Sequence, residues 1–196
     1  LMLGPMAQPL PSRPVVSLVA VSLALAAALG PAADAPARVP PEREWRAHGG
    51  DPGHTQHSPL AQITRDNVGR LAVAWTFDTG ETCGFQVNPI VVDGVLYANT
   101  PTHKAIALDA ATGALRWRFD SGTEGKGPNR GVTFWAQGAD RRIFTAVEQF
   151  LYALDAGTGR PVESFGDSGR IDLRNDLDRD PALQSVRLTS PPVVYE

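Results

Sequence analysis

A near-identical heptapeptide occurs twice in the chain and constrains its fold more than any other feature. ALDAATG begins at Ala107 and ALDAGTG begins at Ala153, so the two copies are offset by 46 residues. Each copy follows an apolar, strand-like run, and a partial third copy lies upstream, where GRLAVAWTFDTG resembles GALRWRFDSG. Short strands that recur every 40–50 residues or so are typical of β-propeller blades. The repeat therefore predicts an all-β fold made of such blades.

The first repeat also shows the alternation of half-buried strands. Asp93–Gly94 separates two apolar runs, IVV and VLYAN, which is a strong signal for a hairpin. After the Thr-Gly turn of the heptapeptide, Leu115, Trp117 and Phe119 alternate with arginines. We expect these three side chains on one buried face, with Trp117 packed between neighbouring blades. Trp75 holds the equivalent place in the partial copy.

The composition changes sharply before the repeats begin. Arg13 precedes an apolar run from Val15 to Leu29 that small residues follow, which is the arrangement of a signal peptide. We expect residues 1–35 to direct export to the periplasm or the outside, residues 36–43 to form a linker, and residues 44–196 to form propeller blades. The apolar run is short for a membrane span of about 20 residues, so an uncleaved anchor is the weaker alternative.

Charge and metal-ligand spacing exclude several functions. The net charge of −3 gives no basis for nucleic acid as a partner. A single cysteine, Cys83, excludes a disulfide within the chain. Asp176, Asp178 and Asp180 have the spacing of a calcium loop, but the glycine and glutamate that an EF-hand needs are missing. The three histidines within residues 48–57 lack a cysteine or a well-spaced carboxylate, so we expect a polar loop there.

Two segments outside the hairpins also have a predicted structure. Thr64 as N-cap and Gly69 as a stop signal predict one short helical turn, followed by a strand through Trp75. The glycine-rich residues 122–131 predict a loop. The final VRLTSPPVVYE predicts the start of another strand.

Several motifs together resemble the pyrroloquinoline quinone (PQQ) dehydrogenases. Ala107, Asp109, Gly113 and Trp117 match the tryptophan-docking pattern A-x-D-x-x-x-G-x-x-x-W of that family, and NPIVVDGVLY, NRGVTFW and LTSPPVV follow its order. The resemblance extends from about Trp45 to the end of the chain. It implies the first blades of an eight-bladed β-propeller, incomplete here, and therefore an N-terminal fragment of a longer enzyme.

The resemblance also implies three residues that bind PQQ. Arg130 matches the arginine of the NRG motif, whose guanidinium can bind a carboxylate or a quinone oxygen with paired donors. Thr189 matches a threonine whose hydroxyl bonds a cofactor carboxylate. Gln86 lies where alcohol-oxidising members commonly carry a glutamate, and a glutamine keeps an acceptor and adds donors but cannot ionise.

By the same resemblance, the whole protein would oxidise a hydroxyl of a sugar or another alcohol. Hydride would pass to PQQ, with an aspartate as general base and Ca²⁺ as Lewis acid, and electrons would leave to a cytochrome or a membrane quinone. The family's aspartate and calcium ligands lie in later blades, so no catalytic or metal-binding residue is predicted in this chain.

The branch of the family can also be inferred from the segment before the NRG motif. Alcohol dehydrogenases of the family carry two adjacent cysteines there, whereas this chain has TEGKGP. The sequence is therefore more similar to the glucose or sugar-type branch. The alternatives are a non-enzymatic propeller of similar repeats that acts as a scaffold for protein assembly, and a quinone-binding module without catalysis.

Overall fold

The structure is a computed structural model that describes residues 44–51, 53–82 and 84–195. The predicted signal peptide, the predicted linker and Cys83 lie outside the described residues, so the expectations for them stay predictions. Among the described helices, none is long and apolar enough to cross a membrane.

The described strands form two four-stranded antiparallel sheets, called blade 1 and blade 2 below. Blade 1 contains β1 (Ile90–Val92), β2 (Val95–Asn99), β3 (Ala105–Asp109) and β4 (Leu115–Phe119), and blade 2 contains β5 (Thr133–Gln137), β6 (Asp140–Val147), β7 (Phe150–Asp155) and β8 (Arg170–Asp172). In each sheet the strands pair in chain order. Four short strands in this order form the meander of a propeller blade, so the predicted all-β propeller fold is confirmed.

The predicted hairpin at Asp93–Gly94 joins β1 to β2. Val92 pairs with Val95, which leaves two residues in the turn. Asp93 and Gly94 have φ angles of 50° and 74°. A type I′ turn needs positive φ at both central residues, and Asp-Gly supplies them at low cost.

The two copies of the heptapeptide form matching turns. Asp109 and Asp155 each accept hydrogen bonds, through Oδ1, from the main-chain N–H and the hydroxyl of the threonine three residues later. The glycine after that threonine has a φ of 74° at Gly113 and 71° at Gly159. The repeat seen in the sequence is therefore a repeat of one turn geometry.

Each of these turns receives a tryptophan from the segment before it. The indole Nε1 of Trp75 donates to the carbonyl of Ala110 at 3.2 Å, and that of Trp117 donates to the carbonyl of Ala156 at 2.9 Å. A Cβ on the turn's glycine would lie 2.5 Å from a ring carbon in both cases, so only glycine leaves room for the indole. Trp117 of β4 thus packs on blade 2, as predicted, and Trp75 packs on blade 1 in the same way.

The core is shared between the two blades. Ile90 and Val92 of blade 1 pack in one apolar cluster with Ile143 and Leu154 of blade 2, and all four are fully buried. The hydroxyl of Tyr97 donates to the same Ala156 carbonyl at 3.1 Å. Burial of these side chains between sheets is the main stabilising contribution to the stacking of the blades.

One residue predicted on the buried face lies elsewhere. Leu115 is 48% exposed, whereas Trp117 is 8% exposed. Ala107 pairs with Trp117, but the neighbouring Leu108 pairs with Leu115, so the register shifts by one residue in β4. Such a bulge turns Leu115 to the opposite face of the sheet.

Two other segments differ from expectation. Residues 71–79 and residues 184–195 contain no strand, although strands were predicted through Trp75 and in the final residues. In the part that the structure describes, neither segment forms the ladder of main-chain hydrogen bonds that a strand requires. Residues 184–195 make isolated bonds instead, from the N–H of Leu188 to the carbonyl of Glu148 and from the N–H of Arg130 to the carbonyl of Thr189. The predicted helical turn is a 3₁₀ helix, Val68–Arg70, with Asn67 and not Thr64 at the N-cap position.

Candidate functional site

Three segments outside the sheets run side by side and form what we call the three-segment site: residues 84–88, 125–131 and 186–192. The main-chain N–H of Asn88 donates to the carbonyl of Arg130 at 3.1 Å, and the N–H of Arg130 donates to the carbonyl of Thr189 at 3.0 Å. Asn88 and Gly131 form an isolated parallel bridge. Main-chain hydrogen bonds thus fix the arginine between the other two segments.

Gly131 allows this close approach. It has a φ of 132°, and a Cβ there would lie 2.6 Å from the carbonyl oxygen of Asn88. A side chain at this position would separate the two segments. The glycine of the NRG motif is therefore required by the path of the main chain beside Arg130.

The side chains of Arg130 and Thr189 meet at the surface of this site. The guanidinium NH1 donates to the threonine Oγ1 at 3.3 Å. Arg130 is exposed and Thr189 is half-buried. A guanidinium has five donors, so Arg130 can bind a planar anion and keep its bond to the hydroxyl. The structure brings these two predicted residues together, and the pair suits a carboxylate.

A buried polar network holds the residue next to Arg130. The hydroxyl of Thr145 donates to Oδ1 of Asn99 at 3.0 Å, and Nδ2 of Asn99 donates to Oδ1 of Asn129 at 2.6 Å. Nδ2 of Asn129 donates to the carbonyl of Ala146 at 2.9 Å. Each of the three polar side chains is at most 7% exposed. A satisfied buried network of this kind specifies one geometry for the chain that it holds.

Sequence reasoning missed this network, although the repeat contained a signal for it. Asn99 and Thr145 are separated by the same 46-residue offset as the heptapeptides. Asn99 ends the apolar run of β2, and Thr145 interrupts the apolar second half of β6. Polar residues at equivalent buried positions of two repeats indicate a hydrogen-bonded pair between the repeats.

Gln86 lies in the same site but apart from Arg130 and Thr189. Its side chain is exposed and lines a cavity of about 10 Å³, together with residues that include Asn99, His103 and Asn129. The cavity has room for about one water molecule. Among the described residues no hydrogen bond joins Gln86 to Arg130 or Thr189. The segment of Gln86 is joined to Arg130 through Asn88, two residues later, whose N–H binds the carbonyl of Arg130.

His103 anchors the glycine-rich loop that leads to Arg130. It is 2% exposed, and its Nε2 lies 3.0 Å from the carbonyl oxygen of Gly127, so Nε2 carries the proton in this contact. Gly125 packs on the ring, and its N–H donates to the carbonyl of Thr102 at 3.1 Å. A Cβ on Gly125 would lie 2.1 Å from Nδ1 of His103, so the loop sequence must be glycine there.

Potential metal ligands are dispersed in the part of the protein that the structure describes. Across residues 44–51, 53–82 and 84–195, no three His, Cys, Asp or Glu side chains cluster closely enough to hold a metal ion. The aspartates at 176, 178 and 180 lie on an exposed loop. The calcium ligands expected in later blades remain a prediction.

Comparisons with known proteins agree with this geometry. The family model "Glucose/ethanol/alcohol dehydrogenase, beta-propeller domain" of the PQQ group matches residues 45–196. The chain is 38% identical over 128 residues to 1-butanol dehydrogenase (cytochrome c) of Thauera butanivorans, covering 61% of this chain and 18% of the relative. It is 31% identical over 181 residues to the quinoprotein glucose dehydrogenase of Escherichia coli, covering 79% of this chain and 22% of the relative.

A solved structure extends the similarity to three dimensions. The quinohemoprotein alcohol dehydrogenase of Comamonas testosteroni superposes with a TM-score of 0.66 at 27% identity, over 79% of this chain and 22% of that chain. The chain thus spans about a fifth of the length of these proteins. From the family match over most of its length, the chain belongs to the PQQ-dependent glucose, ethanol and alcohol dehydrogenase family of β-propellers.

Proposed function

We propose that this chain forms the first blades of a PQQ-dependent dehydrogenase and contributes Arg130 and Thr189 to the binding of PQQ. The observation that carries the proposal is the pairing of these two side chains at 3.3 Å on segments that main-chain hydrogen bonds hold together. PQQ is a tricarboxylate o-quinone, and a guanidinium beside a hydroxyl is a suitable donor set for a carboxylate or a quinone oxygen. The residues present therefore fit the cofactor.

When bound, PQQ supplies the quinone that accepts hydride from the CH–OH group of the substrate. In this proposal Arg130 compensates the negative charge of the cofactor, and Thr189 donates a hydroxyl hydrogen bond that orients it. Gln86 contributes hydrogen bonds without charge, because an amide does not ionise. In this proposal the general base and the calcium ligands are the ones that the family resemblance places in later blades.

We propose a sugar as the substrate class, with a simple alcohol as the alternative. The support is the glycine-rich loop, which has TEGKGP where alcohol-oxidising members carry adjacent cysteines. The similar proteins carry names of both kinds, a 1-butanol dehydrogenase and a glucose dehydrogenase. A comparison of kcat/KM for glucose and for 1-butanol, measured on the complete enzyme, decides between them.

We further propose that the enzyme is exported and passes electrons to a cytochrome or a membrane quinone. The apolar run of residues 15–29 supports export. The name of the Thauera butanivorans relative includes cytochrome c, which supports a cytochrome as the electron acceptor. The non-enzymatic scaffold considered from the repeats alone has no comparable support from the named relatives.

The test uses the complete enzyme that contains this chain, prepared without cofactor. Arg130→Ala should raise the PQQ concentration at half-saturation at least tenfold, because a charge-assisted hydrogen bond contributes about 1.5–3 kcal/mol. Arg116→Ala is the matched control, since Arg116 is another exposed arginine and lies at the opposite end of blade 1. Equal half-saturation for wild type and Arg130→Ala contradicts the assignment.

A further inference from the structure

The turn between β6 and β7 carries a carboxylate that binds two segments of the three-segment site at once. Oε1 of Glu148 accepts from the main-chain N–H of Lys126 at 2.6 Å. Oε2 accepts from Nε of Arg187 at 3.1 Å, and NH2 of Arg187 lies 2.9 Å from the same oxygen. The carbonyl of Glu148 also accepts from the N–H of Leu188 at 3.4 Å.

These partners lie close in sequence to the two residues that we assign to PQQ. Lys126 is four residues before Arg130, and Arg187 is two residues before Thr189. One residue of blade 2 therefore joins the loop that carries the arginine to the segment that carries the threonine. Resting on the proposed function, we propose that Glu148 is a positioning residue, which sets the distance between Arg130 and Thr189 for cofactor binding.

The local structure explains why a single carboxylate matters here. Neither residues 125–129 nor residues 184–195 belong to a strand, so separate contacts hold them in place of a sheet ladder, among them the main-chain bond from Arg130 to Thr189 and the contacts of Glu148. An exposed ion pair alone would contribute little to stability. Glu148, however, is 19% exposed in its side chain and also satisfies a main-chain N–H, so it constrains the path of the loop as well as an arginine.

An electrostatic role and a positioning role of Glu148 predict opposite changes in PQQ affinity when its carboxylate is removed. PQQ is an anion, so a purely electrostatic role for Glu148 predicts tighter PQQ binding once its negative charge is gone. A positioning role predicts weaker binding, because Arg130 and Thr189 lose their common support. The sign of the change therefore separates the two roles.

The experiment measures PQQ binding to the complete apoenzyme by equilibrium dialysis, which does not depend on turnover. Glu148→Ala should raise the dissociation constant about tenfold, the effect of one charge-assisted hydrogen bond. Glu148→Gln keeps an acceptor for the N–H of Lys126 and should give a smaller increase. Asp109→Asn is the matched control, since Asp109 also binds main-chain N–H groups and an arginine but lies at the other end of blade 1. It should leave the dissociation constant unchanged.

A double variant tests whether Glu148 acts through the arginine. In an Arg130→Ala background, Glu148→Ala should change the dissociation constant less than threefold, because the group that it positions is absent. Unchanged or tighter binding in the Glu148→Ala variant, or in Glu148→Gln if the alanine variant does not fold, overturns the inference. If Arg130→Ala binds PQQ as wild type does, the proposed function fails instead. If only the Glu148 variants behave as wild type, the positioning role alone fails.

Discussion

The tryptophan docks allow a sharp test with a single added methyl group. Gly159 lies beneath Trp117, and a Cβ there would come within 2.5 Å of the indole. Gly138, in the turn between β5 and β6, also has a positive φ, 59° against 71°, but nothing lies within 4 Å of its would-be Cβ. The two glycines differ in the indole contact and share the backbone conformation.

The expected cost of each substitution follows from this difference. Gly138→Ala should destabilise by about 1–2 kcal/mol, the penalty for an L-residue in the left-handed region. Gly159→Ala carries the same penalty and should add about 1–3 kcal/mol from overpacking against Trp117. We therefore expect the Gly159 variant to be less stable than the Gly138 variant by about 1–3 kcal/mol.

The assay is denaturant unfolding of the complete enzyme, followed by tryptophan fluorescence and by circular dichroism to check that the transitions coincide. A third variant, Gly159→Ala in a Trp117→Ala background, removes the indole. There, Gly159→Ala should cost no more than Gly138→Ala, because the steric conflict is gone. If Gly159→Ala and Gly138→Ala lower the free energy of unfolding equally, then the contact of Trp117 with Gly159 is not a steric constraint.

Three further outcomes are expected. Trp117→Ala should destabilise the enzyme by about 3–5 kcal/mol without changing KM for substrate, and a raised KM with an unchanged unfolding midpoint would contradict its structural role. Arg116 and Thr112 lower the pKa of Asp109 from 3.8 to about 2, so the stabilisation is complete above the unfolded pKa of 3.8 and is lost as pH falls towards about 2. In Asp109→Asn the unfolding midpoint should therefore fall less between pH 3.8 and about 2 than it does in wild type. If the midpoint depends on pH in the same way in both proteins, Asp109 does not contribute this stabilisation. Residues 36–196 expressed alone should be molten and inactive in a PQQ-dependent dye assay, since side chains such as Val73 and Val193 are at least 80% exposed, and a cooperative near-ultraviolet melt with sugar oxidation would show otherwise.

Much of the fold could be predicted because its determinants are local. The Asp93–Gly94 turn needs only residues that tolerate positive φ, and the heptapeptide contains its own aspartate, threonine and glycine. The position of Leu115 could not be predicted, because the bulge in β4 depends on pairing with another strand. The absence of strands in residues 71–79 and 184–195 depends likewise on which neighbours are present.

The site was predictable where a family motif marked it and not elsewhere. Arg130 and Thr189 came from motifs, and the structure places them in contact. Glu148 and His103 have no motif, because each binds a main-chain group of the glycine-rich loop, and the second partner of Glu148, Arg187, is 39 residues away in the sequence. Hydrogen bonds to main-chain atoms leave no complementary residue type in the sequence from which they could be read.

The tryptophan contacts also impose an order on the folding of the chain during its synthesis. Trp75 and Trp117 each insert into a turn that is made about 40 residues later, so each indole is synthesised before the turn that receives it. At synthesis rates of roughly 5–20 residues per second, about 2–8 s pass before the receiving turn is available. The packing of blade 1 is therefore completed by blade 2, and a pause in translation between the two leaves the ring of Trp117 in water.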